Sequence, residues 1–208
     1  TYFWLIAIVT VVFTFSLVIR SGNWSHAHFI DSLFQTVSIL TSTGYTIADY
    51  DLWAFFAQFI LLILMFVGSM GGSTGGGMKI VRVMLILKYA ALETRRMLHA
   101  KAIIPIRIGE KYISGDVIRN TLGFFLFYIF IFVFTSFFLT TLNIDLKSSM
   151  GVAASALGNT GPALGEFGPT DNYALLPGVG KWLLTFCMLL GRLEIFTVVV
   201  LFSRTFRR

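Results

Sequence analysis

Two short runs of oxygen-bearing residues carry the chemistry that this chain could perform. Ser42-Thr43-Gly44-Tyr45 returns in altered form as Asn159-Thr160-Gly161-Pro162 after an offset of 117 positions, and the same offset lays Glu166-Phe167 over Asp49-Tyr50. The chain is therefore an internal duplication. Around the first run, residues 29–50 read FIDSLFQTVSILTSTGYTIADY, with no charge from Ser32 to Ala48 yet with frequent Ser, Thr, Gln and Gly. A bilayer core of ~30 Å needs about 20 mostly apolar helical residues to cross, and this segment is too short and too polar. It reads as a re-entrant element, a half-helix followed by an extended strand. Such backbone survives at membrane depth only where it lines a water-filled path or is buried in protein. A Thr-x-Gly strand at that depth offers hydroxyls and carbonyl oxygens to a dehydrated cation.

The elements that must position these strands follow from composition and charge. Hydrophobic residues make up 56% and charged residues 12% of the chain, against roughly 25% charged in soluble domains, which identifies an integral membrane protein; the expected fold class is all-α. The net charge of +6 does not point to nucleic acid, because the charges are segregated. Nine basic and three acidic residues lie between Lys79 and Arg119, and Arg204, Arg207 and Arg208 close the chain. The opposite loops hold Asp31, Asp49, Asp51, Asp145, Glu166 and Asp171 against Arg20, Lys147 and Lys181. The positive-inside pattern places the filter-bearing loops outside and both the central hairpin (99–115) and the C-terminus in the cytoplasm, with an acidic mouth that concentrates cations. One cysteine, Cys187, sits in an apolar run, so neither a disulfide framework nor a metal cluster is expected. The chain opens directly in an apolar span without an initiator Met, and is expected to be part of a longer protein.

In order, residues 1–19 are an uncharged first span, and His26 and His28 fall in an outer loop. Those histidines, at i and i+2, do not share a helical face and lack a third ligand, so solvated loop residues are the expectation. Residues 52–78 run without a charge, but Gly71, Gly72, Gly75, Gly76 and Gly77, with Ser73 and Thr74, interrupt the far end. Each glycine costs about 1 kcal/mol against alanine in a helix interior, so the helix is expected to open there. A nucleotide-binding loop is excluded by spacing, since Gly77 and Met78 intervene before Lys79 and no strand precedes. A kink used for close helix packing remains open. An amphipathic continuation (78–102) and a short hairpin around IIPIRIGEKYIS lead to a phenylalanine-rich span (120–144), a second pore half-helix (148–157) and a last span (181–202).

That last span carries Arg192 and Glu194. A charge in the hydrocarbon zone costs at least ~2.5 kcal/mol and usually faces a cavity or a partner. Arg192 is thus either paired to a neighbouring helix or placed in a conduction path, and the repeat offset sets Gly75 over it. Among the filter positions, Pro162 replaces Tyr45 and Asn159 replaces Ser42, so the second strand lacks one donor, is locked in φ, and any ring built from these strands is not fourfold symmetric. No Ser/His/Asp set, carboxylate pair or metal-ligand spacing suggests an enzyme, and no cofactor is expected.

TSTGYT (41–46), GGSTGGGMK (71–79), LGNTGPALG (157–165) and LLGRLEIFT (189–197) together resemble the membrane subunits of Trk-type potassium uptake systems (TrkH-like, within the Trk/Ktr/HKT superfamily). The resemblance covers nearly the whole chain and has the four motifs in order. It implies two tandem helix–pore loop–helix repeats, the third and fourth of four, forming half of a pseudo-fourfold cation channel: residues 1–98 and 116–208, joined by the hairpin 99–115. It implies a filter of Thr41, Ser42, Thr43, Gly44, Tyr45, Asn159, Thr160, Gly161 and Pro162, with K+ as the transported ion beside the backbone of Ser42, Thr43, Asn159 and Thr160. It further implies a gate of Gly71, Gly72, Gly75, Gly76, Gly77 and Arg192. Implied partners are the absent first two repeats, a second copy in a homodimer, membrane lipid, and a cytosolic nucleotide-binding regulatory subunit (TrkA-like) meeting Ile104, Pro105, Arg107 and Lys111. The implied location is the bacterial inner membrane and the implied function potassium uptake. The rival from another class is a non-conducting membrane scaffold whose hairpin recruits cytosolic partners.

Overall fold

The computed structural model describes residues 2–98, 106–108 and 111–193. The described residues include seven α-helices: α1 (Tyr2–Ser21), α2 (His26–Leu40), α3 (Phe55–Val67), α4 (Ile80–Leu98), α5 (Gly115–Thr141), α6 (Leu146–Gly158) and α7 (Gly178–Arg192). The duplication is visible in the order. α1, α2 and α3 form one unit of outer helix, short helix and return helix, and α5, α6 and α7 repeat it. Glu194 and the remainder of the last span expected from the sequence lie outside the described residues.

Only α1, with 20 residues, and α5, with 27, are long and apolar enough to cross a membrane among the described residues. Each buries one stripe at helical spacing. On α1 the stripe is Val9, Thr10, Phe13 and Thr14; on α5 it includes Phe124, Tyr128, Ile131, Thr135 and Leu139. The other faces of α5 present Phe130, Phe134 and Phe137 outward. α1 lies on α2, and α5 on α6.

The two short helices differ in their surroundings. Every residue of α6 from Gly151 to Gly158 is buried, because its alanines and glycines let α3, α5 and α7 approach from three sides. α2 buries Ser32, Gln35, Thr36, Ile39 and Leu40 but exposes Ile30, Leu33 and Phe34.

Two boundaries depart from the sequence expectation. α2 begins at His26, capped by Ser25, rather than near Asp31. His26 and His28 are therefore in its first turn, where a His28 ring nitrogen lies 3.0 Å from Ser21 Oγ. The uncharged stretch 52–78 is not one span: α3 has 13 residues, about 20 Å of helix, and stops at Val67, before the first of the clustered glycines. Gly68 ends it at φ 66°, ψ −163°, a region essentially confined to glycine that costs another residue of order 1–3 kcal/mol. The chain then runs irregularly to Lys79, and α4 follows. In the hairpin, Arg107 pairs antiparallel with Tyr112 and Ile108 with Lys111. Lys88 Nζ donates to the Arg107 carbonyl at 2.8 Å, and the Arg107 guanidinium covers the Tyr112 ring. Ile104 and Pro105 lie outside the described residues.

Candidate functional site

The C-terminal ends of α2 and α6 each turn into an irregular strand with the same local geometry. Ser42 and Asn159, at equivalent positions, both have positive φ (57° and 52°), and so do Gly44 (78°) and Gly161 (107°), while Thr43 and Thr160 between them do not. In an ordinary strand successive residues share one φ sign and carbonyls alternate from side to side. Alternating the sign turns successive carbonyls toward a common side. Two hydrogen bonds fix this in both copies: Thr43 N–H donates to Ser38 O at 2.9 Å and Thr160 N–H to Ser155 O at 3.0 Å. Ser38 and Ser155 are themselves related by the repeat offset, a signal the sequence carried.

Among the described residues, the carbonyls of Ser42, Thr43, Asn159 and Thr160 accept no hydrogen bond. These are the oxygens a desolvated cation would need. Their neighbours are occupied. Tyr45 O accepts from Ser38 Oγ at 2.6 Å, Gly161 O from the Tyr173 hydroxyl at 2.7 Å, and Ala163 O from the Tyr50 hydroxyl at 2.8 Å. Burial pushes the Tyr173 phenol up to about 12, with the Ser155 hydroxyl offsetting part of the rise. Burial, reinforced by Asp51, pushes Tyr50 up as well. Both phenols are therefore neutral donors at physiological pH.

The strands meet each other. A Cβ on Gly44 would overlap the Thr160 carbonyl oxygen and sit 3.3 Å from Pro162 Cδ, so only glycine lets the two backbones touch. A Cβ on Gly161 would meet nothing in this chain. Thr43, Tyr45 and Gly161 are exposed, Thr43 and Tyr45 in a recess they share with Ile30, Leu33 and Phe34 of α2.

Beneath the strands the glycine-rich segment closes against both short helices. Gly76 packs on the Gly158 carbonyl, Gly77 N–H reaches Leu157 O at 3.4 Å, and a Cβ on Gly75 would stand 3.3 Å from Thr41 O. The Gly77 N–H supplies a partner to one carbonyl that a helix end leaves unsatisfied. Gly191 packs on the Leu157 carbonyl too, so its neighbour Arg192 sits at the depth of the glycine segment, with its side chain exposed. The side-chain amide of Asn159 donates to Met188 O at 3.1 Å and ties the second strand to α7. Met70, Gly71, Gly72, Ser73 and Thr74 are exposed, whereas Gly76, Gly77 and Met78 are buried. The segment thus has a free tip and an anchored half.

The outer rim is less free than its charge count suggests. Asp145 caps α6 through Ser148 N–H (3.1 Å), Asp49 accepts from Asp51 N–H (3.0 Å), and Asp51 binds Lys147 at 2.8 Å. Three of the six acids expected to attract cations are therefore engaged in the wall. Sequence reasoning missed Asp51, Lys147 and Tyr173 as structural members of the site, because Asp51 and Lys147 are 96 positions apart and share no motif. The hairpin is tied to a separate cluster of Leu85, Leu92 and Ile106, against which Ile108 packs, and no hydrogen bond joins Arg107 to the residues of the site among the described residues.

The family model for TrkH, described as a cation transport protein, matches residues 1–207. The Trk system potassium uptake protein TrkH of Halomonas elongata is 40% identical over 177 residues, covering 85% of this chain and 36% of that protein. Its namesake from Vibrio parahaemolyticus is 35% identical over 209 residues, covering 98% and 42%. The crystal structure of the potassium transporter TrkH from Vibrio parahaemolyticus matches over 100% of this chain and 44% of its own, with a TM-score of 0.89 and 34% identity. The chain spans less than half the length of these relatives.

Proposed function

This chain belongs to the TrkH family of cation transport proteins, and on that premise we propose that it supplies half of a potassium-conducting pore for uptake across the bacterial inner membrane. The observation that carries the reading is the pair of strands with matched φ signs, four unoccupied carbonyls and a direct backbone contact at Gly44 and Thr160. The helix ends beneath them bring the negative poles of two macrodipoles toward a cation. Two further strands from the absent part of the protein would complete the cage, and Gly161 faces the side on which the next one would stand.

Gating is assigned to residues 71–77 with Arg192. The exposed tip obstructs the path below the filter, and the arginine keeps a cation from resting there. The filter loops face outward, and the hairpin with Arg107 and Lys111 faces the cytosol, where a nucleotide-binding regulatory subunit would dock. The complete protein would act as a dimer of pores.

The test is growth of a cell lacking its own potassium uptake on low potassium. Rescue by the complete protein, lost in Gly161→Asp, supports a pore. A protein that rescues equally well with that aspartate in its filter, or that never rescues while reaching the membrane, leaves the scaffold function standing. Arg192→Gln is expected to raise potassium flux in proteoliposomes severalfold, since an unpaired charge at that depth opposes a cation at a cost of a few kcal/mol; unchanged flux removes the barrier role. Tyr173→Phe is expected to shift the potassium concentration at half-maximal uptake by about twofold to tenfold, the worth of one neutral hydrogen bond.

A further inference from the structure

The turn Tyr50–Leu52 of the first repeat grips the second repeat just beyond its filter. Tyr50 donates to Ala163 O, and Asp51 Oδ1 accepts from Gly165 N–H at 2.9 Å and from Lys147 Nζ at 2.8 Å. The Asp51 side chain is 18% exposed, so both bonds are charge-assisted in a partly desolvated place, where such bonds are about twice as strong as neutral ones. Its other oxygen, Oδ2, is buried without a hydrogen bond and rests on Gly168, where an added Cβ would overlap it.

The repeat offset of 117 positions places Asp51 and Gly168 at the same site of their respective repeats. Equivalent positions of adjacent repeats thus touch, and the contact works only because one is a carboxylate and the other has no side chain. An aspartate at both would overlap and repel. The duplication has diverged here into a complementary pair.

We propose that Asp51 is a positioning residue for ion selectivity: with Gly168 as its seat, it fixes the outer end of the second filter strand against the first and so sets the size of the cage between them. The proposal rests on the pore reading above. On the inner side the strands already meet at Gly44 and Thr160, and Tyr50 holds Ala163 O beyond that contact, so Asp51 is the outermost of the points that fix one strand relative to the other. Lys147 neutralises the carboxylate, so Asp51 adds no net charge to the mouth and acts through placement.

The experiment measures potassium and sodium uptake by the complete protein in proteoliposomes for Asp51→Ala, Gly168→Ala and the double variant. Asp51→Ala is expected to go on transporting potassium while its potassium-to-sodium ratio falls about tenfold, within the range of contact energies between neighbouring side chains. Gly168→Ala, which removes no hydrogen-bonding group, is expected to lower the ratio comparably by expelling the carboxylate. In the double variant the alanine at 168 has nothing left to expel, so its ratio is expected to match that of Asp51→Ala within about twofold. An Asp51→Ala ratio equal to the wild type, or a Gly168→Ala loss that adds in full on top of Asp51→Ala, overturns the proposal. Should Asp51→Ala fail to reach the membrane, Gly168→Ala alone decides, a wild-type ratio refuting and a lowered one supporting. Failure of the pore reading looks different: the Gly44→Asp protein would still take up potassium.

Discussion

Gly44→Ala in the complete protein is expected to abolish potassium-dependent growth, although it adds one methyl group. The new Cβ would overlap the Thr160 carbonyl oxygen, one of the four unoccupied oxygens of the site. The backbone at φ 78° adds strain of order 1–3 kcal/mol for a residue other than glycine. Neither cost can be relieved locally. Thr160 is held from behind by Ser155 O, so the oxygen can yield only by turning away from its common side with Asn159. A loss in uptake of about fivefold to about a hundredfold follows from the strain alone, at 1.4 kcal/mol per factor of ten, and the displaced ligand removes the rest. Gly161→Ala sharpens the test. Nothing in this chain would touch its Cβ, so at φ 107° it carries the backbone strain without the clash, and a loss as complete as that of Gly44→Ala is expected only when a further strand stands against it in the whole protein. Normal potassium uptake by Gly44→Ala would sink the filter assignment. A mild Gly161→Ala phenotype would open the ring at that point.

Deleting residues 72–74 is expected to leave the pore leaky, with potassium flux raised severalfold under conditions that otherwise keep it shut. These residues are exposed and form no part of the support beneath α6, whereas Gly76 and Gly77 lie directly against the Gly158 and Leu157 carbonyls. The distinction yields opposite outcomes from neighbouring changes. Gly76→Val drives a side chain into the Gly158 carbonyl at the root of the second strand and is expected to reduce uptake rather than release it. Flux through reconstituted protein separates the two, and a deletion that stays tightly closed would disqualify the tip as the obstruction. The small residues account for both halves: without side chains the anchored half can approach helix-end carbonyls, and the tip, with no apolar anchor of its own, has few contacts to lose on moving.

The amino-acid sequence by itself determined the class of protein, the duplication, the two strands and the break in the second passage. Each is a local matter. Apolar length sets what can cross a bilayer, the recurrence of Thr-x-Gly at a fixed offset marks equivalent places in two repeats, and clustered glycines cannot hold a helix at membrane depth. Only the tertiary structure decided where α3 ends, which of the loop acids are engaged, and what each glycine is for. Gly44 and Gly161 look alike in sequence, yet one touches a carbonyl and the other faces open space. Asp51 reads as one of several rim acids, yet its partners are Lys147 and Gly165 of the other repeat. Contacts between repeats depend on how two separately legible units are rotated against each other, and that rotation is fixed by packing summed over α3, α6 and the segments around them, which no spacing along one chain records.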